Sequence, residues 1–223
     1  MALAKFREDI VSRFHQATVI RAKEHDALLT PEAEPKGAPT KLKGFAAPQS
    51  RPLPVIVLAD ISGSMSVNGK IDALNEALKT MIWSFGRESR LRAEIQVGLI
   101  TFGGDAAKAH VPLVGAHRIE GVEVLVAQGR TPMGSAFAMA RQWLEDKELV
   151  PSRAYRPVLV LVSDGEPTDD WQEPLAALKA SERGQKATRF AMAIGADADR
   201  AMLRQFTNDL EAPVFEADGV RDI

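Results

Sequence analysis

Two aspartates, two serines and a threonine are the residues of this chain whose types and spacing best suit chemistry. Asp60-Ile61-Ser62-Gly63-Ser64 follows an unbroken apolar run, and Ser163-Asp164-Gly165-Glu166 follows another. Between them lies Gly129-Arg130-Thr131-Pro132-Met133-Gly134. In extended chain, alternate positions share a side, so Asp60, Ser62 and Ser64 can point together. Gly63 permits a tight turn between the serines, and Gly134 relaxes the backbone before the next helix. Pro132 biases Thr131 towards an extended conformation. Two carboxylates and three hydroxyls make an all-oxygen set, with no His or Cys beside it. Such a set suits a hard cation, Mg²⁺ first and Mn²⁺ second, whereas Ca²⁺ usually takes more carboxylates and more ligands. So few charged ligands leave a divalent ion under-neutralised, able to keep waters and to accept a carboxylate from outside.

These residues need elements that bring them together. The apolar runs 53–60 and 157–164 predict strands buried on both faces of a parallel sheet. Ile71, Leu74, Leu78, Met81, Ile82 and Phe85 recur at helical spacing. Residues 94–102 predict a further strand, with a short one at 110–114 close enough behind it to form a hairpin. A helix over 134–148, a helix near 170–184, a strand over 187–195, a helix near 199–208 and a short strand at 213–217 complete the series. Strand and helix alternate, which predicts a doubly wound, Rossmann-like α/β fold whose mostly parallel sheet has one short antiparallel edge strand. In open sheets of this kind ligands bind outside the carboxyl ends of the strands, where both aspartate motifs fall.

Two segments precede this domain. Leu3, Phe6, Ile10, Phe14 and Ala17 place an apolar stripe on an N-terminal helix within residues 1–29. Residues 30–52 are rich in Pro, Ala, Gly and Lys, lack any period and read as a linker to the α/β domain at 53–223. The sequence stops at Ile223, just after the last predicted strand, where one more helix would ordinarily cover the sheet. The N-terminal helix is expected either to fill that place or to dock in a partner's groove.

Composition narrows the classes of function. With 45% hydrophobic and 26% charged residues the chain has the profile of a globular protein with a sizeable core. A formal net charge of −2 gives no overall pull towards nucleic acid or anionic lipid. No apolar run approaches the ~20 residues of a membrane span. The first residues, MALAKFREDIVSRF, alternate charges with apolar side chains, unlike a signal peptide. Cysteine is absent, so disulfides and thiol chemistry are excluded. The expected location is cytoplasmic.

Asp-x-Ser-x-Ser at 60–64, Thr131 ahead of Pro132, and Asp164-Gly165 at the end of a buried run resemble the metal-ion-dependent adhesion site of von Willebrand A domains. The resemblance covers about residues 53–217. It implies that Ser62, Ser64 and Thr131 ligate the ion directly, that Asp60 and Asp164 act directly or through water, and that an Asp or Glu of a protein partner completes the shell. A non-enzymatic interaction module is the function it implies. VIVLADISGSM, TPMG and SDGEPTDDW are similar, more narrowly, to the TerY-like proteins of bacterial tellurite-resistance and stress gene clusters. Gln128-Gly129-Arg130 departs from the Gly-Gly pair common before the threonine and puts a cation beside the loop.

Met65, Arg130, Met133, Glu166 and Trp171 are the expected partner-facing rim, although Trp171 suits packing under the loop equally well. Arg130 either pairs with Asp164 or Glu166 or attracts an acidic partner. Asp169-Asp170 reads as an N-cap of the helix that follows rather than a second metal site. Trp83 and Trp143 fall on helical patterns and are expected in the core. The four histidines are scattered and have no assigned role. Gly63 to Lys70 is one residue too long for a phosphate-binding loop, and Ile71 stands where Ser or Thr should follow the lysine. The alternative function is a phosphatase-like, metal-dependent hydrolase using Asp60. Against it, the position two residues on, where a phosphoaspartyl enzyme places its acid/base carboxylate, is Ser62.

Overall fold

Long apolar stretches in this chain become strands because both of their faces are covered. In β1 (Arg51–Asp60) every residue after Arg51 is buried, and the same holds for all of β4 (Val158–Ser163). The computed structural model describes residues 50–88, 93–196, 198–208 and 214–217. The expected N-terminal helix and the linker up to residue 49 lie outside these residues, and β1 starts two residues before the expected domain boundary.

After β1 come a 3₁₀ turn (Gly63–Ser66), α1 (Lys70–Glu88), β2 (Ala93–Gly103), β3 (Ala106–Gly115) and a second 3₁₀ turn (Ala116–Arg118). Then follow α2 (Met133–Glu145), β4, α3 (Gln172–Ala180), β5 (Thr188–Ile194), α4 (Arg200–Phe206) and β6 (Phe215–Ala217). The strands form one sheet in the order β3-β2-β1-β4-β5-β6. All neighbours are parallel except β2 and β3, which are antiparallel. The fold is therefore the expected α/β sheet with flanking helices and one antiparallel edge strand. That edge strand is longer than the expected 110–114, because it keeps pairing from Gly103↔Ala106 to Gln96↔Gly115. Over Ala106 to Ala109 only Ala107 is buried, beside an exposed lysine and two exposed alanines, too little apolar signal to be seen in sequence.

Ile56 and Leu58 of β1, with Leu159 and Leu161 of β4, share one core with Phe137 of α2, Leu175 and Leu178 of α3 and Phe206 of α4. Phe137 and Phe206 stack with ring centroids 5.5 Å apart. Val55 and Val57 point the other way from the same strand. Leu74, Leu78, Ile82 and Phe85 of α1 are buried but belong to no part of that cluster. Burying a side chain of this size stabilises the fold by about 1.5–3 kcal/mol, so the apolar stripe of each helix fixes which way it faces. Trp143 of α2 is half-buried and packs against this core from its margin rather than within it. Trp83 does not: it is 63% exposed, with the Arg87 guanidinium 4.7 Å from its ring centroid. One helical turn further on, Arg87 can stack on the ring because both face solvent.

Candidate functional site

Because β1 leads to β2 on one side while β4 starts the other half of the sheet, the strand order reverses at the parallel β1–β4 pair. A crevice at the carboxyl end of such a pair is the usual ligand position in this architecture. Asp60 is the last residue of β1 and Asp164 follows the last residue of β4. Parallel registry sets Ala59 beside Val162, which brings Asp60 level with Ser163.

Asp60 is fully buried. Its Oδ1 accepts the Ser62 backbone N–H at 2.8 Å, closing an Asx turn, and its Oδ2 accepts the Ser163 hydroxyl at 2.5 Å. Burial pushes its carboxyl up to about 6, against the opposing pull of these hydrogen bonds and with a small additional push from Asp164. Ser163 Oγ in turn accepts the Gly165 N–H at 2.8 Å. Ser62 is buried and Ser64 exposed, yet their hydroxyls lie 3.0 Å apart; the 3₁₀ turn that starts at Gly63, not the extended chain expected from sequence, brings the two oxygens to one place.

The threonine loop is held to the first motif by backbone. Gln128 N–H donates to Ile61 O at 2.7 Å, and Gly63 N–H donates to Gly129 O at 2.9 Å. Gly129 has φ +65°, and a Cβ there would lie 2.5 Å from Gly104 Cα, so neither its conformation nor its surroundings admit a side chain. Thr131 is buried and joined to the segment after β4. Its N–H donates to Thr168 Oγ1 at 3.0 Å, and Thr168 N–H donates to Thr131 O at the same distance. Asp169 continues the clasp, its two oxygens accepting the N–H groups of Gly134 and Ser135 at 3.0 Å each. This carboxylate therefore caps α2 rather than the helix that follows it, correcting the sequence expectation. A cap from a different loop cannot be read from local sequence. Three loops thus meet at one end of the sheet, and each is bonded to another.

Asp164 is buried, with Oδ2 3.4 Å from the Lys70 ammonium, while its Oδ1 has no hydrogen-bond partner. A buried carboxylate oxygen without a donor is costly, by about 1–3 kcal/mol or more for a charged group, and is the kind of atom a cation satisfies. Among the described residues no three His, Cys, Asp or Glu side chains gather in a metal-binding group.

The expected rim is only partly on the surface. Met65 and Met133 are each 0% exposed and belong to the core, so neither side chain is available to a partner. Met65 points inward from the 3₁₀ turn, and Met133 anchors the start of α2. Trp171 is half-buried and packs against the core cluster. Arg130 and Glu166 are exposed. Arg130 lies 3.4 Å from Asp105 across the rim, not against Asp164 or Glu166. Sequence reasoning passed over Ser163, Thr168 and Lys70. Ser163 had a visible signal, a hydroxyl closing a buried apolar run beside an aspartate. Thr168 and Lys70 had none.

Residues 55–222 match the model of the von Willebrand factor type A domain. The chain belongs to that family. No curated protein matches it in sequence. Among solved structures it is similar to proximal thread matrix protein 1 from the mussel byssus, at 20% identity and TM-score 0.62 over 77% of this chain and 45% of that one. A second structure of that protein, described as having a zinc-occupied MIDAS motif, gives TM-score 0.61 at 20% identity, with the same coverage of 77% and 45%. A von Willebrand factor type A structure from Catenulispora acidiphila gives 0.55 at 21% identity, covering 77% of this chain and 40% of that one. The chain spans less than half the length of each of these proteins. At such identities the likeness shows the fold.

Proposed function

We propose that this domain is a cation-dependent protein-binding module. The observation that carries the reading is the meeting, at the switch point of the sheet, of three mutually bonded loops bearing hydroxyls and two buried carboxylates, one with an unpartnered oxygen. Ser62, Ser64 and Thr131 would hold the ion directly, and Asp60 and Asp164 directly or through water. Mg²⁺ is the preferred ion and Mn²⁺ the second choice on the hardness of the oxygen set. The zinc-occupied MIDAS of the mussel protein supports a divalent ion on this fold. When bound, the ion supplies a Lewis-acidic contact to an Asp or Glu of the partner. The chain's own residues orient that contact: Asp60 fixes Ser62 through the Asx turn, and Thr168 fixes Thr131. Arg130 and Glu166 are the exposed rim residues that would sort partners by charge.

The hydrolase reading asks Asp60 to attack a phosphorus. Both its oxygens already accept hydrogen bonds and the residue has no exposed surface, an arrangement suited to an anchor rather than a nucleophile. A setting in a bacterial tellurite or stress response is proposed on the likeness of VIVLADISGSM, TPMG and SDGEPTDDW to TerY-like proteins, and the cytoplasm is the location proposed with it. Among the described residues no helix is long and apolar enough to cross a membrane. The test is partner capture from a bacterial lysate in Mg²⁺ and in EDTA, with wild type and Asp60→Ala. A protein retained only by wild type with metal is the expected result. Equal capture in chelator would contradict the reading.

A further inference from the structure

We propose that Lys70 is a built-in counter-ion, which neutralises Asp164 when no divalent ion is bound and thereby sets the cation affinity of the site. The inference rests on the cation-binding reading above and assigns a regulating residue to that site. Lys70 is the first residue of α1, and two general preferences oppose where it sits. Lysine is almost never fully buried unless paired, yet this one is 3% exposed. A positive charge in the first helical turn also faces the positive end of the helix dipole. Asp164 Oδ2, 3.4 Å from Nζ, helps to hold the ammonium inward against both, in a pair whose two side chains are almost wholly removed from solvent.

The pair leaves Asp164 divided. Oδ2 faces the ammonium and Oδ1 has no partner, so the carboxylate can still receive a cation, but with a positive charge already beside it. A metal ion and an ammonium beside the same carboxylate repel each other, and screening by solvent is weak there. The same ammonium protects the metal-free domain, because Asp164 without it would be a buried, uncompensated charge. Lys70 therefore makes the empty site stable and the loaded site easy to unload. A partner's carboxylate restores the charge balance and favours retention of the ion.

The experiment is calorimetric titration of the full chain with Mn²⁺ and with Mg²⁺, comparing wild type, Lys70→Met and Lys70→Gln, alongside thermal unfolding in EDTA. Both variants are expected to bind Mn²⁺ about tenfold tighter or more. Both should melt several degrees lower than wild type in EDTA, and Mn²⁺ should close the gap. Gln keeps a donor for Asp164, so it carries the comparison if Met at this position disturbs folding. Equal or weaker Mn²⁺ affinity in both variants, with wild type binding normally, would overturn the counter-ion role and leave the metal site standing. No Mn²⁺ or Mg²⁺ binding by any of the three proteins would overturn both.

Discussion

Replacing Gly134 with alanine sets two predictable effects against each other. Gly134 lies in the first turn of α2, where alanine should stabilise the helix by about 1 kcal/mol through its better propensity. A Cβ at this position, however, would meet Asp170 O at 2.1 Å and Asp169 Oδ2 at 3.0 Å. Ordinary contact begins near 3.4 Å, so the backbone after β4 must retreat by more than ~1 Å. Retreat stretches the bonds from Gly134 and Ser135 N–H to Asp169, each made to a charged acceptor and contributing about 1.5–3 kcal/mol. Partial loss of the two outweighs the gain in propensity, and a net destabilisation of about 2–3 kcal/mol is expected. Thr131 and Thr168 sit in the same clasp, so cation affinity should fall as well. Urea unfolding in EDTA gives the first quantity and Mn²⁺ titration the second. Gly121→Ala is the control, since a Cβ there meets nothing within 4 Å and its stability should change little. A Gly134→Ala protein as stable as wild type, with unchanged Mn²⁺ affinity, would refute the clasp.

Metal-free stability should depend on Asp60 protonation. Its folded value of about 6 lies above the ordinary 3.8, so stability is fully present below 3.8 and is lost as pH rises through about 6. At about 1.4 kcal/mol per pH unit this is roughly 3 kcal/mol, read as the difference between wild type and Asp60→Asn in EDTA from pH 4 to 7; a difference constant with pH would contradict it. Met133→Ala should cost about 2–5 kcal/mol in a chemical denaturation series, as a fully buried core side chain does. Arg130→Ala should shift stability by less than about 0.5 kcal/mol while changing the salt dependence of partner association, and a large loss of stability would place it in the core. Trp83→Ala should be similarly mild, because the side chain is largely exposed; a loss above about 2 kcal/mol by urea unfolding would show that it packs.

The strands that position the site were legible because burial on both faces leaves an uninterrupted apolar run, and the aspartates closing β1 and β4 marked where those runs end. The antiparallel hairpin was legible only at its apolar end, since alanines on a half-exposed edge look the same in strand and loop. Periodicity named Trp83 as core because a large apolar residue one turn from buried neighbours cannot be told from one at the stripe's margin. Met65 and Met133 looked like rim residues because they adjoin the motifs in sequence. The 3₁₀ turn and the first turn of α2 direct them inward, which a motif does not encode. Contacts made across loops were the least visible: Lys70 against Asp164, Asp169 capping α2 and Thr168 on Thr131 join residues tens of positions apart.

The most direct measurement of the central claim is anomalous diffraction from crystals of this domain soaked in Mn²⁺. A peak bounded by the side-chain oxygens of Ser62, Ser64 and Thr131, with Asp60 and Asp164 in its immediate surroundings, is the expected result. Absence of a peak there at saturating Mn²⁺, or a peak only elsewhere on the domain, would contradict the assignment of these five residues to a cation site.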